Sequence, residues 1–108
     1  MLKLVPNPSF RLEVAIPQPS GQVAKIKVDF RHKGRTELEE WLKSTTDDEG
    51  NVMRKDHEAL AEVVEGWAGV DEKYSPENLE KLLDAYPSAG KAMINAYLPA
   101  LLEGKAKN

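Results

Sequence analysis

The 108-residue chain contains no cysteine. That removes disulfides, thiolate nucleophiles and cysteine-based zinc sites from consideration, and it fits a reducing compartment. Long apolar runs are missing as well. Nowhere do about 18 consecutive apolar residues occur, so the sequence offers no membrane span. The opening Met1-Leu2-Lys3-Leu4-Val5-Pro6-Asn7-Pro8 lacks the apolar stretch of a signal peptide, which makes the cytoplasm the expected location. Aromatic residues are scarce, with two Trp, three Tyr and two Phe, so each one bears on either the core or a binding surface. There is no Walker motif, no dinucleotide-type glycine motif, no internal repeat and no low-complexity segment.

What is present describes one globular domain over residues 1–108. A hydrophobic fraction of 41% can fill a core, and the 31% of charged residues supplies a solvated surface. At this length a second independent core would be hard to build. The net charge of −3 is unevenly distributed. Residues 1–36 carry seven Lys/Arg against Glu13 and Asp29, residues 37–84 carry five against fifteen acids, and residues 85–108 carry three against Glu103. The first segment is therefore basic and the second strongly acidic.

Phe10, Leu12, Val14 and Ile16 alternate with polar or small residues, and so do Ala24, Ile26, Val28 and Phe30. Period-two alternation predicts strands with one buried face, and the turn formers Pro17-Gln18-Pro19-Ser20-Gly21-Gln22 between them predict an antiparallel β-hairpin within residues 1–35. Its basic side chains then face solvent. Residues 36–103 read as about four α-helices. Thr36 and Glu39 form a capping-box pattern ahead of Leu38, Trp41 and Leu42, predicting a helix over about 37–43. The stretch 44–51 reads as an exposed loop. Met53, His57, Leu60, Val64 and Trp67 recur at helical spacing, which predicts a second helix from about Asn51 or Val52, ended by Gly66 and Gly69. Ser75-Pro76-Glu77 is a strong helix start; Leu79, Leu82, Leu83 and Tyr86 make the stripe of the third helix, and Pro87 stops it. Ser88 is a candidate cap for a fourth helix carrying Ala89, Ala92, Met93, Ala96, Tyr97, Ala100 and Leu101, to be kinked or interrupted at Pro99. Residues 104–108 form a polar tail, expected to fray. The fold class is α+β. A lone hairpin is unstable in water, so its apolar face must pack on the helices or pair with another chain, and its exposed edge invites pairing between subunits.

Candidate catalytic and metal sites do not assemble locally. His57-Glu58 opens a zinc-protease pattern, but Ala61 stands where the second histidine is needed. His57 reads as a core-edge residue and His32, among Arg31, Lys33 and Arg35, as a surface one. Aligning Gly50 with the sixth position of a calcium loop puts Thr45 at the first ligand position and Asp56 at the twelfth. Both are poor substitutes for the Asp and bidentate Glu required there, and Asp47, Asp48 and Glu49 read better as a solvated acidic loop. Gly66-Trp67-Ala68-Gly69 fits the GxxG of a phosphate-clamping loop, yet Glu62, Glu65, Asp71 and Glu72 surround it and repel phosphate. The basic run Lys25, Lys27, Arg31, Lys33 and Arg35 is the best nucleic-acid argument, countered by the negative net charge and a core-facing Phe30. The reading is of a non-enzymatic domain with no cofactor and no metal, binding neither nucleic acid nor membrane.

The order of motifs adds to this. Leu4-Val5-Pro6-Asn7-Pro8-Ser9-Phe10 precedes a hairpin ending in Phe30-Arg31-His32; Leu38 and Trp41 follow, then Gly66-Trp67-Ala68-Gly69-Val70-Asp71. Tyr74-Ser75-Pro76-Glu77-Asn78-Leu79 leads into Leu82-Leu83-Asp84-Ala85-Tyr86-Pro87-Ser88-Ala89, and Ala96-Tyr97 closes the set. Over nearly its whole length the sequence resembles a family of small phage proteins, the tail assembly chaperones of long-tailed phages and prophages. The resemblance implies a non-catalytic protein of the host bacterial cytoplasm that binds the tape measure protein, a long and largely helical polypeptide, and keeps it soluble until the tail tube polymerises. Such a chaperone is not expected in the mature virion, and a second, longer form made by frameshifting is common in the family. The function calls for apolar surface that accepts amphipathic helices, and for several weakly bound, weakly self-associating copies per client. Trp41, Trp67, Tyr86, Tyr97, Met53 and Met93 could supply such surface, although helical aromatic stripes usually face inward. Val70 and Tyr74, after Gly69, are the better exposed candidates. A self-assembling structural tail component and a small nucleic-acid-binding regulator are the alternatives.

Overall fold

A computed structural model describes residues 2–45, 49 and 55–104 of the chain. The hairpin comprises β1 (Ser9–Pro17) and β2 (Val23–Arg31), in the register that sets Phe10 opposite Phe30, Leu12 opposite Val28 and Val14 opposite Ile26. Alternation delivers what the pattern predicts: Leu12, Val14, Ile16, Ile26, Val28 and Phe30 are all buried on one face. The described residues hold four helices, of which α4 packs directly on β1: α1 (Arg35–Thr45), α2 (Asp56–Ala61), α3 (Pro76–Ala85) and α4 (Ser88–Glu103). The α+β class is as expected.

A third strand, β3 (Val64–Ala68), corrects the second predicted helix, which ends early at Ala61. β3 pairs antiparallel with β2, giving the order β1-β2-β3. Val28 faces Trp67 and Phe30 faces Val64, with a bulge that leaves Glu65 as the extra residue. The bulge puts Val64 and Trp67 on the same face despite their spacing of three, which is why this stretch mimics a helix in sequence. The β-branched Val63-Val64 followed by Gly66 favours strand over helix, and β2 offers an edge whose Arg31 N–H binds the Val63 carbonyl at 2.7 Å. Neither Gly66 nor Gly69 ends a helix. Gly66 lies in β3, where an added Cβ would come within 2.9 Å of the Asp29 carboxylate.

Smaller corrections follow from where hydrogen bonds go. Thr36 is not a cap, because α1 starts at Arg35 and the Gly34 carbonyl takes the Leu38 N–H at 2.9 Å. Helix α1 also takes in Ser44 and Thr45. Ser88 does not cap α4; its hydroxyl donates to the Pro17 carbonyl at 2.9 Å and ties the helix to the hairpin turn. Ser75 does cap α3, accepting from the Asn78 N–H at 3.0 Å with Pro76 in the first turn. α4 continues through Pro99 to Glu103, and Gly104 closes it in the left-handed conformation at φ 67°. His32 is half-buried, its ring edge-on to Phe10 at 6.4 Å. The expected starting residues Asn51 and Val52, Met53, most of the acidic loop and residues 105–108 lie outside the described residues.

Tyr97 joins the layers. It is fully buried, stacked on Phe30 at 4.9 Å and on Phe10 at 6.1 Å, and edge-on to Trp41 at 5.9 Å. Its hydroxyl donates to the Arg31 carbonyl at 2.7 Å. Burial pushes the phenol well above its ordinary range, so it remains a neutral donor. The solvent face of the sheet is laced across strands: Arg11 binds Asp29 through two hydrogen bonds at 2.7 and 3.1 Å, Lys25 meets Glu13 at 3.8 Å and Arg31 meets Glu65 at 3.2 Å.

Tyr97→Phe should cost about 1 kcal/mol, the typical worth of one hydrogen bond, whereas Tyr97→Ala should cost about 3–5 kcal/mol as a core truncation; urea unfolding of both variants checks the ratio. The hydrogen bonds from Arg11 hold the Asp29 carboxyl below its ordinary value, against its partial burial. A depressed folded pKa gives stability that is present above about pH 4 and lost as pH falls through the folded value. The stability gap between the native chain and Asp29→Asn should therefore narrow below about pH 4 in urea midpoints measured across pH.

Candidate protein-interaction site

The loop between β3 and α3 is held in place by its own polar atoms. Gly69, at φ 93°, takes a conformation that side chains disfavour. It turns the chain against β2, where a Cβ would sit 3.5 Å from the Ile26 backbone. The Trp67 indole N–H donates to the Glu72 carbonyl at 2.8 Å, and the Tyr74 hydroxyl donates to the Val64 carbonyl at 3.0 Å. The two rings meet edge-to-face at 5.1 Å, a favourable arrangement for aromatic quadrupoles. Burial, with Glu65 nearby, raises the Tyr74 phenol pKa and keeps it a donor. Asn78 adds a bond from its side-chain amide to the Lys73 carbonyl at 2.8 Å.

This clamp presents Val70 at a groove of about 230 Å³ with Ile16, Ala24, Ile26, Leu82 and Tyr86 as its apolar lining. Ile16 and Ala24 are cross-strand partners near the hairpin turn, and the small Ala24 leaves the opening. Leu82 and Tyr86 lie one helical turn apart, and Tyr86, just past the end of α3, is 36% exposed. Gln18 and Asp71 supply polar lining. The volume is below the roughly 300–1,000 Å³ of small-molecule pockets and matches one or two anchoring side chains of a polypeptide.

Of the six residues predicted for partner binding, the structure brings Val70 and Tyr86 together in this groove. Trp67 and Tyr74 form the clamp beside it and are half-buried. Trp41 and Tyr97 lie in the core at 4% and 0% exposure, where Trp41 donates from its indole N–H to the Ala59 carbonyl at 3.1 Å. Sequence reasoning missed Ile16, Ala24 and Leu82 as groove residues and assigned them to the core. The one signal for them was the spacing of Leu82 and Tyr86 by a helical turn.

A larger, polar cleft of about 560 Å³ lies between α2 and α3, lined by Lys55, Asp56, His57, Glu80, Lys81, Leu83 and Asp84. His57 Nε2 is 3.6 Å from a Glu80 oxygen there, a histidine–carboxylate contact with no hydroxyl nucleophile among the described lining residues. Among the described residues no three His, Asp or Glu gather as a metal site, and no helix is long and apolar enough to cross a membrane. The calcium-loop alignment falls mostly outside the described residues. Asp56, its last position, instead accepts from the His57 backbone N–H at 2.8 Å.

A three-stranded sheet under helices thus carries a groove sized for side chains. The family model for the phage tail assembly chaperone matches residues 1–108, and the protein belongs to that family. No curated protein and no solved structure matches the chain.

Tyr74→Phe should lower stability by about 0.5–1.5 kcal/mol by releasing the Val64 carbonyl while leaving the groove's apolar lining in place. Denaturant midpoints, together with fluorescence of the neighbouring Trp67, test this.

Proposed function

We propose that this tail assembly chaperone binds the tape measure protein through the groove of Ile16, Val70, Leu82 and Tyr86, and keeps that client soluble until the tail tube polymerises. The observation that carries the reading is the convergence of Val70 and Tyr86 in an apolar, side-chain-sized groove on a chain of this family. An amphipathic helix presents apolar residues every three or four positions, and one such residue would seat between Val70 and Tyr86. The role is non-catalytic: affinity and release are its whole chemistry. It is performed in the host cytoplasm by several weakly bound, weakly self-associating copies per client, which leave before the virion is complete.

Co-expression with tape measure fragments, followed by a solubility assay, tests the reading. Val70→Asp and Tyr86→Ala should each weaken client binding about 5–30-fold, the range for losing an anchoring contact, with the urea midpoint of the free chaperone little changed. Unchanged client solubilisation by both folded variants would rule the groove out. Presence of the chain in mature particles would favour a structural tail component instead.

A further inference from the structure

The free edge of β1 and the segment ahead of it complement one another. The Arg31 N–H points to β3 and the His32 N–H to the Pro8 carbonyl at 2.9 Å, which fixes the direction of every backbone group along β1. Residues 10, 12, 14 and 16 bond toward β2, whereas Ser9, Arg11, Glu13 and Ala15 direct their N–H and C=O groups outward. The Pro17 carbonyl, also outward, is taken by Ser88. The other four have no backbone partner among the described residues.

Two grooves run along this edge, with α4 as their far wall. One, of about 250 Å³, lies between Glu13, Val14 and Ala15 and the helix residues Lys91, Ala92 and Asn95. The other, of about 450 Å³, lies between Ser9, Arg11 and Leu12 and the helix residues Ala100 and Leu101. Beside them the N-terminal arm carries Leu2 and Leu4 essentially fully exposed and Val5 at 82%. Such a run of bare aliphatic surface calls for a cover.

We propose that the arm of one copy adds as a strand to the β1 edge of a second copy, and reciprocally, forming a twofold dimer. The inference concerns self-association alone and stands whether or not the client is the tape measure protein. With the arm straightened from its bends at Leu4, Val5 and Pro8 and Lys3 released from the Asn7 side chain, the register that fits is antiparallel about an axis at Pro8, setting Lys3 opposite Glu13, Leu4 opposite Leu12 and Leu2 opposite Val14. Three features agree with it. Lys3 meets an acid on the solvent face. Leu2 and Leu4 fall on the core face, over the grooves walled by Ala92, Ala100 and Leu101. Pro6 and Pro8, which have no N–H, occupy positions that make no bond in this pairing, so neither proline interrupts it. Because the two copies contribute the same surfaces, the contact closes and does not propagate into a fibre. The contact is confined to a short strand pair and a few aliphatic side chains, which suits a weak dimer.

Sedimentation of the full chain over a concentration series up to millimolar should show a monomer–dimer equilibrium. Leu2→Asp with Leu4→Asp should weaken it at least about tenfold. Both residues are solvent-exposed in the monomer, so its urea midpoint should not move. Lys3→Glu and Glu13→Lys should each weaken the dimer, and the two together should restore it. The chain has no cysteine, so oxidising a mixture of Lys3→Cys and Glu13→Cys chains should give a mixed disulfide dimer that Lys3→Cys with Lys25→Cys does not. A monomer at every concentration, with the edge filled only by a client segment, overturns the proposal. So does a dimer indifferent to the Leu2/Leu4 changes, and so does a Lys3→Cys/Glu13→Cys double variant that closes only within one chain, the arm then folding on its own edge.

Discussion

The burial of Tyr97 is the constraint on which the other elements depend. Its ring is shared by β1 through Phe10, β2 through Phe30 and α1 through Trp41, and Trp41 in turn reaches α2 at the Ala59 carbonyl. A hairpin alone would leave an apolar face in water; α4 covers it because Tyr97, Met93, Ala96 and Ala89 present a buried stripe to the strands. The same demand keeps α4 helical through Pro99. The hydrogen bond that Pro99 cannot make falls on the Asn95 carbonyl, at an exposed residue where water can replace it. Leu98, Ala100 and Leu101 meanwhile continue to pack on the core. Local helix preference loses to packing there, and the extended α4 then forms the wall of the grooves along β1.

The parts of the fold written in local pattern are readable from sequence, and the parts that depend on a distant partner are not. Alternation specifies β1 and β2 because each buried residue has a neighbour two positions away, and Ser75-Pro76 specifies the start of α3 because a cap acts within one turn. β3 defeats the same reasoning for a physical cause. A bulge at Glu65 brings residues three apart onto one face, so Val64 and Trp67 have helical spacing in a strand. The contrary hints were the β-branched pair at Val63-Val64 and the glycine at 66, which outweigh a periodicity of only a few matches. Ser88 shows the second limit. Its hydroxyl serves the Pro17 carbonyl 71 positions away, and no local rule could choose that acceptor over its own helix.

Charge illustrates how far sequence asymmetry can depart from spatial asymmetry. The basic run that starts at Lys25 looks like a patch along the chain, yet pairing sets Glu13 beside Lys25 and Glu65 beside Arg31, while Asp29 binds Arg11. Acids from three strands thus intersperse the basic face, lowering the potential a polyanion would meet there. The groove has the opposite history. In sequence Val70 is a candidate on loop exposure and Tyr86 on residue type alone, within the stripe of its helix. Their meeting depends on the turn at Gly69 and on the hairpin lying under α3, and Ile16, Ala24 and Leu82 join the site only through that tertiary arrangement.

A holding chaperone must also let go, and the geometry bears on how. A groove of about 230 Å³ admits a side chain or two; if it is the client site proposed above, each site contributes modest affinity and releases its client quickly. Under the proposed reading, the retention of a long client then comes from number. Linking two grooves in one dimer makes the second contact intramolecular, which raises avidity without tightening either site. If the linkage is itself a short strand on an open edge, it too is reversible. Polymerising tube protein could therefore displace the chaperone one weak contact at a time, with no single strong bond to break. Weakness at each contact is then a requirement of the function, and it explains why neither a deep pocket nor a large permanent interface is needed to perform it.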